Sequence, residues 1–138
     1  MTQPATTAVV LLYSDDAQVR ERMRMAIGAR PASDLAVRFI EAGTQGEVMR
    51  TVDDTEIDLV VLDGEAAPAG GLGIARQLKD EVEDCPPTCV VIARAADRWL
   101  AAFASVDATL LHPLDPVTTG RTVAGLLRDR LAGLPVKS

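Results

Sequence analysis

Aromatic residues are scarce in this chain: one Trp, one Tyr and two Phe among 138 residues. A chain of this length buries a sizeable core, so that core must be aliphatic, built from Val, Leu, Ile and Ala. Cysteine is too rare for a zinc site. The two thiols, Cys85 and Cys89, sit in Cys-Pro-Pro-Thr-Cys, which is not Cys-x-x-Cys, and neither a second Cys pair nor a His cluster supplies further ligands. Both cysteines are expected to be reduced, with Cys89 buried at the start of a strand. No run approaches the ~18 apolar residues that cross a bilayer. The opening residues, Met1-Thr2-Gln3-Pro4-Ala5-Thr6-Thr7, carry no basic side chain and lead straight into an apolar run, unlike a signal peptide. A cytoplasmic chain, peripheral at most to a membrane, is the expectation.

Positive charge is also in deficit, with 14 Lys and Arg against 20 Asp and Glu and a formal net charge of -6. A nucleic-acid surface needs the opposite balance. The cluster Arg20-Glu21-Arg22-Met23-Arg24 is interrupted by an acid and reads as the solvated face of a helix. A nucleotide loop is missing as well. In Gly70-Gly71-Leu72-Gly73, Arg76 stands where the third glycine of Gly-x-Gly-x-x-Gly belongs. Those glycines read instead as backbone turning tightly over a site, or as part of a partner surface.

What is present is an alternation. Ala8 to Tyr13, Leu59 to Leu62 and Cys89 to Ala93 are continuous apolar runs, the pattern of strands covered on both faces. Ala36 to Ile40 and Thr109 to Leu111 are weaker strands. Between them lie helical spacings: Val19, Met23, Ala26 and Ile27, ended by Gly28 and Pro31; Val48, Met49 and Val52, up to Thr55; Leu72, Ala75, Leu78 and Val82, broken by Pro86-Pro87, with Lys79-Asp80-Glu81 outward; a short helix from Trp99 to Phe103; and Val117, Val123, Leu126, Leu127 and Leu131, from Pro116 to a stop at Gly133. Strand and helix alternate five times over short connections. This predicts an α/β fold, a doubly wound five-stranded parallel sheet, in one domain over 8–132 between tails at 1–7 and 133–138.

In an open parallel sheet, chemistry sits beyond the carboxyl ends of the strands. Asp63 ends the central run, and Ser14, Asp15 and Asp16 end the first. Two carboxylates on one rim repel unless a proton or cation intervenes, and oxygen-ligated Mg²⁺ is the natural cation. An aspartate beside Mg²⁺ can attack a phosphoryl group. Equally, Asp15 or Asp16 can serve as a helix cap and Asp63 as a strand-end polar residue. Spacing alone leaves both open.

The chain resembles the receiver domain of bacterial two-component response regulators from Ala8 to Leu131. The resemblance rests on Val-Val-Leu-Leu-Tyr-Ser-Asp, Asp58-Leu59-Val60-Val61-Leu62-Asp63, Gly71-Leu72 eight residues after that aspartate, and Leu111-His112-Pro113. It implies that Asp63 is the phospho-acceptor, that Asp15 and Asp63 with the backbone carbonyl of Glu65 hold Mg²⁺, and that His112-Pro113 is a cis peptide. The departures are as informative. Ser14 replaces the first acid of the metal-binding pair, which removes a negative charge and weakens Mg²⁺. Ala93 replaces the hydroxyl that bonds the phosphoryl group, a bond to a charged acceptor worth about 1.5–3 kcal/mol. Thr109 replaces the aromatic switch reporter. His112 replaces the lysine, exchanging a group of reference pKa about 10.4 for one of about 6.5 and a permanent charge for a conditional one.

The pattern thus resembles an atypical, stand-alone receiver. It is similar to actinobacterial receiver-like proteins that carry the segment running from Asp63 through Gly64, Glu65, Ala66, Ala67, Pro68, Ala69 and Gly70 to Gly71, with His-Pro for Lys-Pro. That group is associated with respiratory NADH:quinone oxidoreductase, complex I. The resemblance implies a non-enzymatic interaction module with weak or absent phosphorylation, partnered by complex I subunits or a histidine kinase. Trp99, Leu100 and Phe103 fall where receivers commonly meet partners, although ordinary core packing explains them too. A phosphorelay receiver using Asp63 is the alternative. A small hydrolase is disfavoured, since no general base or oxyanion hole is identifiable. Only Gly133 to Ser138 follow the last helix, so no DNA-binding output domain is expected.

Overall fold

A computed structural model describes residues 6–133, apart from the side chain of Phe103. The chain runs β1 (Thr6–Tyr13), α1 (Ala17–Ile27), β2 (Leu35–Ala42), α2 (Gln45–Asp54), β3 (Leu59–Asp63), α3 (Gly71–Glu81), β4 (Thr88–Ile92), α4 (Arg98–Phe103), β5 (Ala108–Leu111) and α5 (Pro116–Leu131), with a 3-10 turn at Ala95–Asp97 before α4. The five strands are all parallel, in the order β2-β1-β3-β4-β5. This is the doubly wound architecture expected from the alternation.

The core divides by strand parity. Leu11, Tyr13, Val60, Leu62, Val90 and Ile92 pack with Val48 of α2, Ile74 and Leu78 of α3, and Ala101 of α4. Val10, Leu12, Leu59, Val61, Cys89 and Val91 pack on the other face with Met23 and Ile27 of α1 and Val123 and Leu127 of α5. The runs are apolar at every position because helices cover both faces. Burying each such Val or Leu fully contributes roughly 1.5–3 kcal/mol. Among the described residues, Tyr13 is the aromatic side chain in the fully buried core.

The boundaries shift where the backbone finds partners that the sequence does not advertise. β1 starts at Thr6, before Ala8, because the Thr6 N–H donates to Asp34 O at 3.1 Å. β2 extends from Leu35 to Ala42, beyond the expected Ala36 to Ile40, paired along its full length with β1. α3 ends at Glu81 rather than at Pro86-Pro87. Those prolines are buried and lead into β4. Gly28 ends α1 at φ 75°, the left-handed conformation glycine adopts at no steric cost.

Both cysteines are free, Cys89 buried and Cys85 half-buried. Burial pushes the Cys89 thiol up to about 12, with help from the Asp107 carboxylate. Burial raises Cys85 as well. Since the thiolate is the nucleophile, both should resist alkylation. Iodoacetamide at pH 8 is expected to modify native Cys85 slowly and Cys89 only after denaturation, as read by peptide mass spectrometry.

Candidate functional site: an acidic cavity at the carboxyl rim

The β1–β3 register pairs Tyr13 with Leu62, so the next residues, Ser14 and Asp63, meet at the rim. Parity turns both to the α1/α5 side of the sheet, the side of Leu12 and Val61. Ser14 is fully buried and Asp63 is 4% exposed. The Ser14 hydroxyl donates to Asp63 Oδ2 at 2.9 Å and accepts from the Asp16 N–H at 3.1 Å. Asp63 Oδ1 accepts from the Glu65 N–H at 2.9 Å. His112 Nε2 lies 3.5 Å from the same oxygen, at the outer limit of a hydrogen bond. The resemblance placed the imidazole near the phospho-acceptor, and the fold brings it there. The His112 N–H donates to Ile92 O at 2.9 Å, and His112-Pro113 is cis, as expected.

The three acids at the β1 end and on β3 have separate duties. Asp16 caps α1, its carboxylate accepting from the Gln18 N–H at 2.8 Å. Asp15 is left out of the cap. It reaches across to the loop after β3, where its Oδ1 accepts from the Ala67 N–H at 3.3 Å. Asp15, Asp16, Asp63, Glu65, Ala93 and His112 line one cavity of about 700 Å³ at the rim. Ala93 brings no hydroxyl to it. Thr109 lies outside this group, on the opposite strand parity from Leu110 and His112.

Two features were not legible as parts of the site. Arg20 spans the rim: its Nη1 donates to Ser14 O at 2.6 Å and its Nε pairs with Glu41 at 2.9 Å. Arg22, one of the cluster read as solvated helix face, lines the cavity. Its position three residues after Val19, another lining residue, was the available signal. The Tyr13 hydroxyl donates to Ala69 O and ties the loop to β1. Burial first, then the charges of Asp15 and Asp63, raise the Tyr13 pKa above its ordinary value. The loop glycines matter through close approach. A Cβ on Gly71 would come within 2.9 Å of the Asp63 backbone, and one on Gly64 within 2.9 Å of Val91 O. Gly73 meets nothing.

Mg²⁺ keeps most of its water shell and takes one or two carboxylates. Asp15 and Asp63 offer that minimum on one cavity, and each Asp63 oxygen, already accepting one bond, retains a lone pair. In donor chemistry, two carboxylates are what the ion takes. Among the described residues, no group of three or more His, Cys, Asp or Glu side chains is placed to hold a metal. Trp99 is 64% exposed and Leu100 is 37% exposed, so neither is core. The side chain of Phe103, the third member of that surface, lies outside the described set. Among the described residues, no helix is long and apolar enough to cross a membrane.

This arrangement is that of a receiver domain, and known proteins agree. No family model matches the chain. A response regulatory protein of Mycobacterium tuberculosis, in strains CDC 1551 / Oshkosh and ATCC 25618 / H37Rv, is 46% identical over 129 residues, 93% of this chain and 97% of the relative. Among solved structures, a two-component response regulator of the LuxR family from Aurantimonas sp. SI85-9A1 is 26% identical with a TM-score of 0.75, covering 94% of this chain and 88% of that one. The response regulator TrrA of Thermotoga maritima, solved in complex with Mg(2+)-BeF, shares the fold at 20% identity and a TM-score of 0.73, covering 87% of this chain and 99% of that one. The chain belongs to the response-regulator family and has its receiver fold.

Ser14 should be a measurable hinge of the site. Ser14→Ala leaves Asp63 Oδ2 without its donor and is expected to cost about 1.5–3 kcal/mol of unfolding free energy in urea titrations. Ser14→Asp is expected to lower Tm in EDTA through carboxylate repulsion, yet to give a larger Tm rise on adding Mg²⁺ than the native protein shows.

Proposed function

We propose that this chain is an atypical receiver acting as a protein-interaction module, with weak or no phosphorylation of Asp63. The observation that carries the reading is the buried 2.9 Å bond from the Ser14 hydroxyl to Asp63 Oδ2. A neutral donor stands where the resemblance expects a metal-binding acid, and it occupies the carboxylate that would have to attack phosphorus. Ala93 offers the resulting phosphoryl group no hydroxyl, and His112 offers an imidazole where the resemblance expects an ammonium. Were Mg²⁺ bound, Asp15, Asp63 and the Glu65 carbonyl would hold it. The ion would neutralise charge on a transferring phosphoryl group.

The partner we infer is a larger assembly such as respiratory NADH:quinone oxidoreductase. The support is resemblance: the loop from Asp63 to Gly71, the His112-Pro113 pair, and relatives in Mycobacterium. Exposed Trp99 and Leu100 supply a contact surface of the kind that anchors interfaces. Such a protein would work in the cytoplasm, held at the inner face of the membrane through its partner. Affinity purification from detergent-solubilised native membranes is expected to recover oxidoreductase subunits with the native chain, and fewer with Trp99→Ala. Their absence in both would remove the complex I assignment.

A second reading, a phosphorelay receiver modified on Asp63 by a histidine kinase, is favoured by the shared cavity of Asp15, Asp63 and Glu65. Incubation with Mg²⁺ and acetyl phosphate separates the two. We expect little or no phosphoryl adduct in the intact mass. Stoichiometric, slowly decaying phosphate that Asp63→Asn abolishes would establish the second reading instead.

A further inference from the structure

Three consecutive residues at the end of β1 each bond the end of β3 or the loop that follows it. The Tyr13 hydroxyl donates to Ala69 O, the Ser14 hydroxyl donates to Asp63 Oδ2 at 2.9 Å, and Asp15 Oδ1 accepts from the Ala67 N–H at 3.3 Å. The first half of the loop is held otherwise. The Gly64 N–H donates to Val91 O of β4 at 2.8 Å, and the N–H groups of Glu65 and Ala66 turn back to Asp63 itself, to Oδ1 at 2.9 Å and to the backbone O at 3.3 Å. Gly70 O accepts from the Ile74 N–H as α3 begins. Among the described residues, the segment from Ala67 to Ala69 is therefore hydrogen-bonded to a neighbouring strand end through Tyr13 and Asp15. Tyr13 is 1% exposed and belongs to the core formed with α2, α3 and α4.

We propose that Tyr13, Ser14 and Asp15 form a clasp that gates Asp63. With the clasp shut, both oxygens of the carboxylate stay engaged and it stays buried. With the clasp open, the loop carries the Glu65 N–H away from Oδ1 and solvent reaches the carboxylate. Tyr13 is the positioning residue of this gate, since its hydroxyl bonds the loop rather than Asp63. Three observations support it. Asp63 is 4% exposed although it lines a cavity of about 700 Å³, so local packing and not the size of the cavity limits access to it. Glu65, the donor to Oδ1, stands two residues before Ala67, so the segment that the clasp ties includes one of the carboxylate's own partners. The chain has a single tyrosine, and its buried ring needs a partner for the hydroxyl. That partner is a loop carbonyl, which couples the packed core to the rim. The proposal rests on the receiver reading of this rim and adds its regulation.

Tyr13→Phe in the full chain tests it, since the ring is kept and the bond to Ala69 O is lost. The amides of Glu65 and Ala66 are expected to exchange with D₂O about fivefold faster, the worth of one net hydrogen bond, while the Gly64 amide is unchanged. Carboxyl labelling with carbodiimide and glycine ethyl ester, read by peptide mass spectrometry, should rise by a similar factor at Asp63. Asp58 is the control: it lies at the opposite end of β3, half-buried, with Oδ2 accepting from the Val9 N–H at 2.8 Å. A merely structural tyrosine would raise Asp58 labelling in step with Asp63. Asp15 is exposed and gives a second variant. Asp15→Ala should repeat the effect on Asp63, whereas Asp15→Asn, which keeps an acceptor for the Ala67 N–H, should restore the native pattern. Labelling of Asp63 unchanged in Tyr13→Phe and Asp15→Ala, or Asp58 rising equally, would overturn the clasp. Acetyl phosphate with Mg²⁺ is read separately. An Asp63 that becomes labelled and also takes phosphate in Tyr13→Phe would sink the weak-phosphorylation reading and keep the clasp.

Discussion

The parallel pairing of β1 with β3 is the constraint on which the site depends. Its register sets Tyr13 against Leu62 and so delivers Ser14 to Asp63 at the next step. A slip of one residue would turn one of the pair to the other face of the sheet. Such a slip is blocked on both sides, since Leu12 and Val61 are fully buried under α1 and α5 while Leu11 and Leu62 are fully buried under α2, α3 and α4. The aliphatic core therefore does more than stabilise. It fixes which side chains meet at the rim.

Once Asp63 is buried there, its charge must be answered, because a carboxylate without bonds in such a place is costly. The answers are mostly neutral: the Ser14 hydroxyl, the Glu65 N–H and, at 3.5 Å, an imidazole. Permanent cations stand further out. Arg20 holds the Ser14 carbonyl and Glu41, and Arg22 lines the cavity wall. The family's receiver fold is thus kept while the electrostatics at its carboxylate change. Such a rim holds Asp63 in place with neutral hydrogen-bond donors. The proposed docking role rests on this change of electrostatics.

The same economy holds at the other exposed feature. α4 is less than two turns long and buries Ala101, while Trp99 and Leu100 face outward. Beside it, the edge strand β5 and the capped start of α5 line a small cavity, and the buried Thr119 hydroxyl has no hydrogen-bond partner among the described residues. Both costs, exposed apolar surface and a buried unpaired hydroxyl, fall on one side of the molecule.

The sequence by itself determined the five strands, their parallel order of winding and the rim to which Asp63, Asp15 and His112 belong. Continuous apolar runs ending at polar residues can be read residue by residue, and strand ends follow from them. It left the acids of the β1 end ambiguous, because Asp15 and Asp16 are chemically alike. Only the path of the chain into α1 made Asp16 the cap and sent Asp15 across to Ala67. The bond between Ser14 and Asp63, the reach of Arg20 to the Ser14 carbonyl, the entry of Arg22 into the cavity and the orphaned Thr119 hydroxyl also belong to tertiary structure. The Ser14–Asp63 bond depends on the distance between elements far apart in the chain, and the others on how a helix is set against the rim; a local pattern carries neither.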